Sequence, residues 1–524
     1  MNDEQNPYDE TPYASYPYPQ SHPNRLATVA TLFGMHPQSL QQCSVLELGC
    51  ASGGNLIPLG VALPGSRFVG IDLSARQVEE GHKTIHQLGL NNVDLKRASI
   101  LDVTSELGQF DYIICHGVWS WVSPEVRDKI LAICREQLAP QGVAYVSYNT
   151  YPGWHMRGTI RDMMVYHTRK CTTPKECAHH ARALLDFLVR SVPQSANVYS
   201  ILLKNEMNRL RSMADSYLLH DYLEHVNEPV YFYQFAEQAA AKDLQFLGEA
   251  DVGAMLSEGF AAEVEHVIKG FAETPVEREQ YLDFLRNRLF RQTLLCHSGV
   301  ALNWCPDYER MRSLFFASPL IAPKMSNLLS KEAAKFTGMA QGPLGTTDPA
   351  LKTALHLLGR AWPEAIQLEA LVSQVQSRMD PEPLIDSSRR QRDARLLARS
   401  LLNCYTEQFV TIYVEPPCCK AVPGEFPLAS PLTRFQATQR NVVTNLNHQL
   451  VEVNDIARHI LRLCDGTHNR DAMLTRLLEL ADHDAIVVHD NEGTVIDYNR
   501  RRSILAESLD RSLTHLTRHA VLVG

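Results

Sequence analysis

Five short apolar runs alternate with helical segments between residues 44 and 149, and this alternation limits the possible fold more than any other feature. Ser74 and Ser123 stand where they can cap two of the intervening helices, and Pro124 suits a first helical position. Strands that alternate with helices predict a parallel sheet covered on both faces, which is a doubly wound α/β domain. The runs cover residues 44–50, 67–74, 92–99, 110–117 and 142–149.

Length and composition indicate a globular protein of several domains. At roughly 150 residues per domain, 524 residues suggest three or four domains. Hydrophobic residues make up 45% of the chain, which is enough to build a large core. The net charge of -9 argues against a dedicated nucleic-acid-binding protein. No apolar run approaches the roughly 18 residues of a membrane span.

Cysteine usage and the N-terminal sequence predict a cytoplasmic location. Twelve cysteines are scattered along the chain without a CxxC pair, as expected in a reducing compartment. The N-terminus is acidic and polar, unlike a secretory signal. Cys171, Cys177, His179 and His180 cluster in the sequence, but their spacing matches no common zinc pattern, so we expect no metal site.

The alternation stops after Tyr151. Residues 156–225 read as inserted helices, after which a helix, a strand and a last strand at 287–297 would complete the sheet. Beyond them, helical stretches followed by a strand suggest a winged helix, and a second module of similar kind follows. The expected domains are 1–165 (the sheet with an N-terminal arm), 166–300 (the insertion that completes the sheet), 301–415 (a middle module) and 416–524 (a C-terminal module).

The stretch VLELGCASGGN places a glycine turn between the first strand and the next helix. Helix-terminal N–H groups at such a turn point at a ligand. A dinucleotide-binding turn would need glycine at 49, 51 and 54, but the methyl group of Ala51 lies where a pyrophosphate must contact the backbone. Glu47 would repel a diphosphate but suits an ammonium group, unless it merely solvates the strand end. The turn therefore favours S-adenosylmethionine, which carries an α-ammonium, a sulfonium and a carboxylate.

Asp72 ends the second strand, in register with the glycine turn. A carboxylate there can accept hydrogen bonds from both ribose hydroxyls, although a single aspartate at a strand end is usually a turn or cap residue. Leu73 could pack on adenine.

Residues 1–20 are rich in proline and tyrosine, which predicts an extended arm. This arm is either a solvated tail or a lid over the ligand.

Taken together, the sequence resembles the class I S-adenosylmethionine-dependent methyltransferases that carry a methyltransferase regulatory domain, a group that includes the rickettsia-type protein-lysine methyltransferases. The resemblance runs from about Tyr13 to His167, resumes around DYLEHVNEPVYFYQFAEQA, and is weaker in the last third. It implies a Rossmann-like methyltransferase sheet with a helical insertion, followed by winged-helix-like α+β modules. The similar stretches include YPQSHPNRLATVATLFG, LELGCASGGNLIPLG, FVGIDLS, HGVWSWV and VAYVSYNTYPGW, and later FPLASPLTRFQA and VTNLNHQLVEV.

The resemblance also implies which residues surround the cofactor, S-adenosyl-L-methionine. Ser99 stands where such enzymes usually have an acid beside adenine, so Asp102 could replace it, or the contact could be lost. The implied set consists of Glu47, Gly49, Cys50, Ala51 and Gly53 at the methionine-binding turn, Asp72 and Leu73 at the second strand, Ser99 and Ile100 beside adenine, and His116, Gly117 and Val118 at the tip of the fourth strand.

Aromatic residues follow the fourth and fifth strands, where ligands collect in this fold. Core packing is the usual role of a single aromatic residue, but clustering at two neighbouring strand ends predicts a wall of the acceptor site. Tyr148 and Asn149 are the first candidates to orient the acceptor, and His22 and His116 are candidate proton acceptors. The clusters comprise Trp119 and Trp121, then Tyr148, Asn149, Tyr151 and Trp154, with Tyr16, Tyr18 and His22 of the arm able to close over them.

Three functions remain open at this point. The resemblance favours methylation of protein lysine side chains, with a protein substrate and a possible homodimer. A methyltransferase for a small molecule or RNA is the second, and a regulatory protein that senses S-adenosylmethionine is the third. DNA binding by the arginines between Arg389 and Arg399 is disfavoured, because residues 338–415 contain slightly more acidic than basic residues.

Overall fold

The computed structural model describes residues 15–193, 198–211, 213–255, 262–323, 327–338, 342–379, 387–483, 486 and 498–523. The part of the predicted arm before residue 15, including Tyr8 and Tyr13, lies outside these ranges.

One seven-stranded sheet has the strand order β3-β2-β1-β4-β5-β7-β6. Strands β1 to β5 run parallel, and β7 is antiparallel to both of its neighbours. The five apolar runs correspond to β1–β5, so the predicted doubly wound α/β sheet is confirmed, and its last two strands follow the insertion as expected. The strands are Ser44–Leu48 (β1), Arg67–Asp72 (β2), Val93–Arg97 (β3), Phe110–Cys115 (β4), Leu138–Asn149 (β5), Leu244–Glu249 (β6) and Phe290–His297 (β7).

The helices around this sheet begin where the sequence predicts. The Oγ of Ser74 accepts the backbone N–H of Gln77, and the Oγ of Ser123 accepts that of Val126, so both serines are caps. Their hydrogen bonds fix the first turns of the two helices that follow them. The helices are Pro23–Leu32 (α1), Leu56–Ala62 (α2), Ala75–Leu88 (α3) and Pro124–Gln137 (α4).

The helical insertion follows β5 directly. Its first helix crosses the domain boundary expected at residue 165. The insertion has a core of its own, which includes Ile160, Leu185, Leu203 and Tyr222. Its helices are Gly153–Thr168 (α5), Pro174–Ser191 (α6), Val198–Arg211 (α7) and Asp215–Leu218 (α8), followed by a π-helical turn at Leu219–Leu223. Phe232–Ala240 (α9), Ala262–Phe271 (α10) and Pro275–Arg286 (α11) then flank the last two strands.

Two further modules follow the sheet. In the middle module, β8 pairs with β11 and β12 beside three helices, as the winged-helix interpretation expects. Its elements are Tyr308–Met311 (α12), Phe315–Ala317 (β8), Ala334–Phe336 (β9), Leu344–Thr346 (β10), Pro349–Ala361 (α13), Ile366–Gln367 (β11), Leu368–Met379 (α14), Ser387–Thr406 (α15) and Thr411–Tyr413 (β12). The C-terminal module contains Pro431–Gln439 (α16), Val442–Thr444 (β13), Leu450–Glu452 (β14), Asp455–Leu463 (α17), Arg470–Asp482 (α18) and Tyr498–Arg518 (α19).

The two modules pack against the rest of the chain in different ways. Apolar residues of the middle module, such as Phe316 and Leu355, belong to one continuous core with residues of the sheet domain. The C-terminal module has a separate core that includes Ile460 and Leu477. Within the described ranges, no helix is both long enough and apolar enough to cross a membrane.

Candidate active site

A cavity of about 640 Å³ opens at the carboxyl ends of β1, β2 and β4. This is where the strand order reverses, between β1 and β4, and it is the position at which doubly wound sheets bind ligands. The volume lies within the usual range for small-molecule sites. Three parts of the chain line it, namely the strand tips, the arm and the helical insertion.

The glycine turn after β1 has a backbone that most side chains would not allow. Gly49 has φ +80°, and a Cβ there would lie 2.5 Å from Cγ2 of Val118. Ala51 also has positive φ, and its N–H donates to Oδ2 of Asp72 at 2.7 Å. Gly49, Cys50, Ala51 and Val118 all line the cavity, as the sequence predicts. The described cavity wall does not include Gly53, which packs inward, where a Cβ would lie 3.0 Å from Cδ1 of Leu95.

Asp72 lies at the tip of β2 and faces the cavity. Its Oδ2 accepts the N–H of Ala51, and its Oδ1 accepts the N–H of Ser74 at 2.9 Å. These two bonds orient the carboxylate at the cavity wall. Asp72 therefore both stabilises the turn and lines the cavity.

The residues expected beside adenine all line the cavity, namely Leu73, Ser99 and Ile100. Leu73 is 58% exposed. The Oγ of Ser99 accepts the N–H of Leu101 at 3.2 Å. Asp102 is exposed and lies outside the cavity wall, so the suggestion that it replaces the missing acid does not hold.

Glu47 is the buried carboxylate of the site, with 2% of its surface exposed. Its Oε1 accepts from Nδ2 of Asn55 at 2.9 Å. Among the residues that the structure describes, its Oε2 has no hydrogen-bond partner. Burial, and to a smaller extent the charge of Asp72, raise the pKa of Glu47 to about 8. This burial rules out the alternative that Glu47 merely solvates a strand end, and a buried acceptor without a partner fits a cationic ligand.

His116 lies at the tip of β4, between the cavity and β5. Its Nδ1 is 2.9 Å from the hydroxyl of Tyr145 and 3.2 Å from Oγ of Ser147. Burial lowers the pKa of His116 to about 4, so the ring is neutral at pH 7 and a weak proton acceptor. The N–H of Gly117 donates to the same Oγ of Ser147 at 2.8 Å, which fixes this turn against β5.

The described end of the arm lies across the glycine turn, in agreement with the lid interpretation. The N–H of Gly54 donates to Oγ of Ser15 at 2.7 Å, and a side chain at 54 would collide with the backbone of Ser15. Tyr16 and Tyr18 both line the cavity. The ring of Tyr18 lies 4.0 Å from that of His116, and burial, followed by the charge of Glu47, raises the pKa of Tyr18 to about 12.

Three of the four predicted catalytic residues lie outside the described cavity wall. Tyr148 is 1% exposed, stacks on Phe235 at 4.2 Å, and bonds Oγ1 of Thr293 through its hydroxyl at 3.0 Å. Trp119 is fully buried against the same Phe235. His22 caps α1, where its Nδ1 accepts the N–H of Asn24. These contacts of the three side chains are all with residues outside the cavity wall.

Asn149 is the predicted catalytic residue that does line the cavity. Successive side chains of a strand point to opposite faces, which explains why Asn149 reaches the cavity while Tyr148 enters the core. The Nδ2 of Asn149 donates to Oδ1 of Asn227 at 3.3 Å. Trp121 also lines the cavity and packs edge to face on Trp154 at 6.3 Å. Tyr151 and Trp154 are outside the described wall.

The helical insertion contributes cavity residues that were missed by the reasoning from sequence, namely Arg157, Tyr217, His220 and Asp221. Burial raises the pKa of Asp221, which hydrogen-bonds Tyr217 and is partly neutralised by Arg209 and Arg157. One signal could have found it, since the second block of family resemblance begins at Asp221. Further cavity residues that were missed are Gln77, Asn55, Phe290 and Gln292.

The cysteine and histidine cluster of the insertion takes a different form from the one considered in the sequence. Ligand atoms of Cys171, Glu176 and His180 lie within 4.8 Å of one another near the start of α6. Glu176 belongs to this group in place of Cys177 and His179. Its Oε2 already accepts the N–H of Thr172 at 3.0 Å, which is a cap interaction.

Three family models match the chain. A methyltransferase domain matches residues 46–144, a predicted methyltransferase regulatory domain matches residues 214–297, and the PKMT C-terminal winged helix domain matches residues 425–521. The last match gives the C-terminal module the winged-helix fold that the sequence suggests. The regulatory domain model covers Asp221, β6 and β7.

Similar proteins come from Rickettsia. An uncharacterised protein of Rickettsia prowazekii is 35% identical over 90% of this chain and 86% of its own length. A second one from that organism is 42% identical over 46% of this chain and 96% of its own length. The structure of PKMT2 from Rickettsia typhi in complex with AdoHcy is 32% identical, covers 98% of this chain and 100% of that chain, and superposes with a TM-score of 0.88.

Proposed function

We propose that this chain, which belongs to the family of methyltransferases with a methyltransferase regulatory domain and a PKMT C-terminal winged-helix domain, methylates lysine side chains of proteins. It is an S-adenosylmethionine-dependent methyltransferase. The observation that carries the lysine assignment is the likeness to PKMT2 along almost the whole of both chains.

The residues of the cavity fit S-adenosylmethionine, which supplies a methyl group already activated as a sulfonium. Glu47 offers a buried acceptor without a described partner for the cationic part of the ligand. Asp72 offers a carboxylate held by two backbone N–H groups for the ribose hydroxyls. Gly49 and Gly117 leave space on the methionine side, where any Cβ at position 49 would overlap Val118.

The opposite wall of the cavity suits an amine acceptor. A lysine ammonium must lose a proton before it can accept a methyl group, which costs roughly 4.6 kcal/mol at pH 7, from 1.36 kcal/mol for each of about 3.4 pKa units. The aromatic side chains of Tyr18, Trp121 and Phe290 line the cavity and would desolvate the ammonium, which lowers this cost. They also attract a cation through their ring faces.

Asp221 is the acidic group that the insertion offers to the acceptor. Asp221 lines the cavity together with Tyr18 and Glu47, and after burial the charges of Glu47 and Asp221 both raise the pKa of Tyr18. We assign Glu47 to the cofactor and Asp221 to the incoming amine, which it can orient as a hydrogen-bond acceptor. Asn149 is the polar neighbour from β5 that completes this wall.

The direct test is radiolabelled methyl transfer from S-adenosylmethionine into a cell lysate, separated into protein, RNA and small-molecule fractions. We expect label in protein, released as methyllysine on acid hydrolysis, and clearly less label with the Asp72→Ala variant at the same cofactor concentration. Label confined to RNA or to small molecules would overturn the proposal. A wild-type protein that binds the cofactor and transfers nothing would favour the regulatory alternative. A homodimer and a cytoplasmic location stay predictions.

A further inference from the structure

The side chain of Asn55, at the start of α2, contacts three separate parts of the chain. Its Nδ2 donates to Oε1 of Glu47 at 2.9 Å and to Oγ of Ser21 at 3.1 Å. Its Oδ1 accepts from the N–H of Tyr18 at 3.0 Å and from Nε2 of His448 at 2.7 Å. An asparagine amide offers two donors and two acceptor directions, so these four contacts use its full capacity, and Oγ of Ser21 also lies 3.5 Å from Oδ1. The cofactor-side acid, the arm and the C-terminal module therefore meet at one side chain.

These partners fix the direction of every bond. The backbone N–H of Tyr18 can only donate, so the amide atom facing it is Oδ1, and Nδ2 must face Glu47. An oxygen that faces Nε2 of His448 requires a proton on that nitrogen. Burial lowers the pKa of His448 far below its usual range, so the ring is neutral and donates from Nε2 alone.

The C-terminal module itself determines where the imidazole of His448 lies. His448 is 2% exposed, has φ +60°, and belongs to the loop between β13 and β14. In that loop Oδ1 of Asn445 accepts the N–H groups of Asn447 and Gln449 at 3.0 and 2.8 Å. The Nδ2 of Asn445 donates to the carbonyl of His519, just after α19, at 2.8 Å. The loop is thus tied to the last helix of its own module.

A second attachment lies close to the arm. The Oδ1 of Asn24 accepts the N–H of Val414 at 3.0 Å. Glu415 accepts hydrogen bonds from Oγ of Ser39 and the N–H of Leu40 at 2.7 and 2.8 Å. The segment between the middle and C-terminal modules is therefore fastened to the start of the chain, which brings His448 to Asn55 across 393 residues.

We propose that His448 is a positioning residue through which the docked C-terminal module holds Glu47 and the arm in the arrangement that binds S-adenosylmethionine. This inference rests on the proposed function in one respect, namely that Glu47 receives the cationic part of the cofactor. Without His448, Oδ1 of Asn55 loses one of its donors, and the amide is held by fewer bonds, although the N–H of Tyr18 still sets its orientation. The same amide donates to Glu47 and accepts from the arm, so both contacts weaken.

The test compares the full-length wild type with His448→Ala by calorimetric titration with S-adenosylhomocysteine. We expect roughly 3- to 10-fold weaker binding, the usual effect of one buried hydrogen bond. The hydrogen bond from Asn55 lowers the pKa of Glu47 against the effect of burial. In the variant we therefore expect the pH dependence of binding to move to higher pH. His448→Gln keeps a donor at nearly the position of Nε2 and should restore most of the affinity.

Two controls distinguish the loss of this positioning contact from a general destabilisation of the C-terminal module. His468→Ala makes the same change in the same module, at a histidine paired with Asp465, and should bind like the wild type. Leu477→Ala removes a fully buried side chain of the C-terminal core and should lower the unfolding temperature without moving the pH dependence of binding.

A double-mutant cycle tests whether His448 acts on cofactor binding through Asn55. In an Asn55→Ala background, His448→Ala should cost nothing further in affinity. The inference is overturned if His448→Ala binds within twofold of a wild type that binds normally, if its loss is the same in the Asn55→Ala background, or if Leu477→Ala reproduces it. A wild type that fails to bind S-adenosylhomocysteine would instead contradict the proposed function.

Discussion

The two sides of the cavity are built in different ways. The cofactor side consists of strand tips and tight turns of the central sheet, where Gly49, Ala51 and Asp72 are held by backbone geometry and by hydrogen bonds to N–H groups. The side that we propose for the acceptor consists of side chains from the inserted helices, such as Arg157 and Asp221, together with the aromatic lining. The methyl donor is common to many reactions, whereas the acceptor differs, so we expect the rigid side to determine cofactor affinity and the inserted side to determine the substrate.

The largest effect is expected on the cofactor side. Asp72→Ala should weaken the binding of S-adenosylmethionine by about 1–3 kcal/mol, or about 5- to 150-fold, because a charged acceptor for two hydroxyls is lost. Calorimetry measures this directly. Asp102→Ala is the matched control, since Asp102 is exposed and lies outside the cavity wall. Equal affinities of the wild type and the Asp72 variant would refute the ribose assignment.

The next effect depends on pH and tests Glu47. Its pKa in the folded protein is about 8, above the ordinary value of 4.5, because burial favours the protonated form. A cationic ligand requires the carboxylate, so below pH 8 binding must displace a proton. Affinity should fall up to about tenfold per pH unit there, and it should level off above pH 8. Glu47→Gln should bind more weakly and lose this part of the pH dependence, and a parallel pH dependence in both proteins would exclude Glu47 from the cationic site.

The same shift has a consequence for stability. A carboxyl whose pKa is raised on folding stabilises the ligand-free protein fully below about pH 4.5, and this contribution is lost as the pH rises through 8. Between pH 6 and pH 9, the unfolding temperature of the wild type should therefore fall more than that of Glu47→Gln. Thermal unfolding without cofactor measures this difference. Identical declines would mean that Glu47 does not titrate near pH 8.

The contrast between the two sides also explains what the sequence could predict. The turn at Gly49 and the acid at Asp72 are recognisable because strand, turn and helix follow one another within a few residues, and strand periodicity supplied the sheet. Asp221 lines the cavity and His448 contacts the cavity residue Asn55. Both come from far along the chain, and only packing brings them there. Tyr148 was assigned to the acceptor site because the sequence places β5 correctly but does not tell which of two adjacent residues faces the cavity.

A smaller effect is expected on the acceptor side. Asp221→Asn should lower kcat/KM for protein methylation roughly tenfold, because a hydrogen-bonded carboxylate that orients the amine is replaced by a neutral amide. The dissociation constant of the cofactor should stay within about twofold of the wild type. Asp215→Asn is the control, since that carboxylate is in the same insertion, is paired with Arg182, and does not line the described cavity. A loss of cofactor affinity equal to the loss of kcat/KM would place Asp221 on the cofactor side.

The smallest effect separates the two faces of β5. Tyr148→Phe removes a buried hydroxyl bonded to Oγ1 of Thr293 and should lower the free energy of unfolding by about 1 kcal/mol, with kcat/KM unchanged within about twofold. Asn149→Ala, one residue further along β5, should mainly lower kcat/KM, with a smaller effect on the free energy of unfolding, because Asn149 lines the cavity. Denaturant unfolding and methyl transfer, measured on both variants, give the comparison. If Tyr148→Phe loses activity without losing stability, the phenol acts in the reaction in addition to packing in the core.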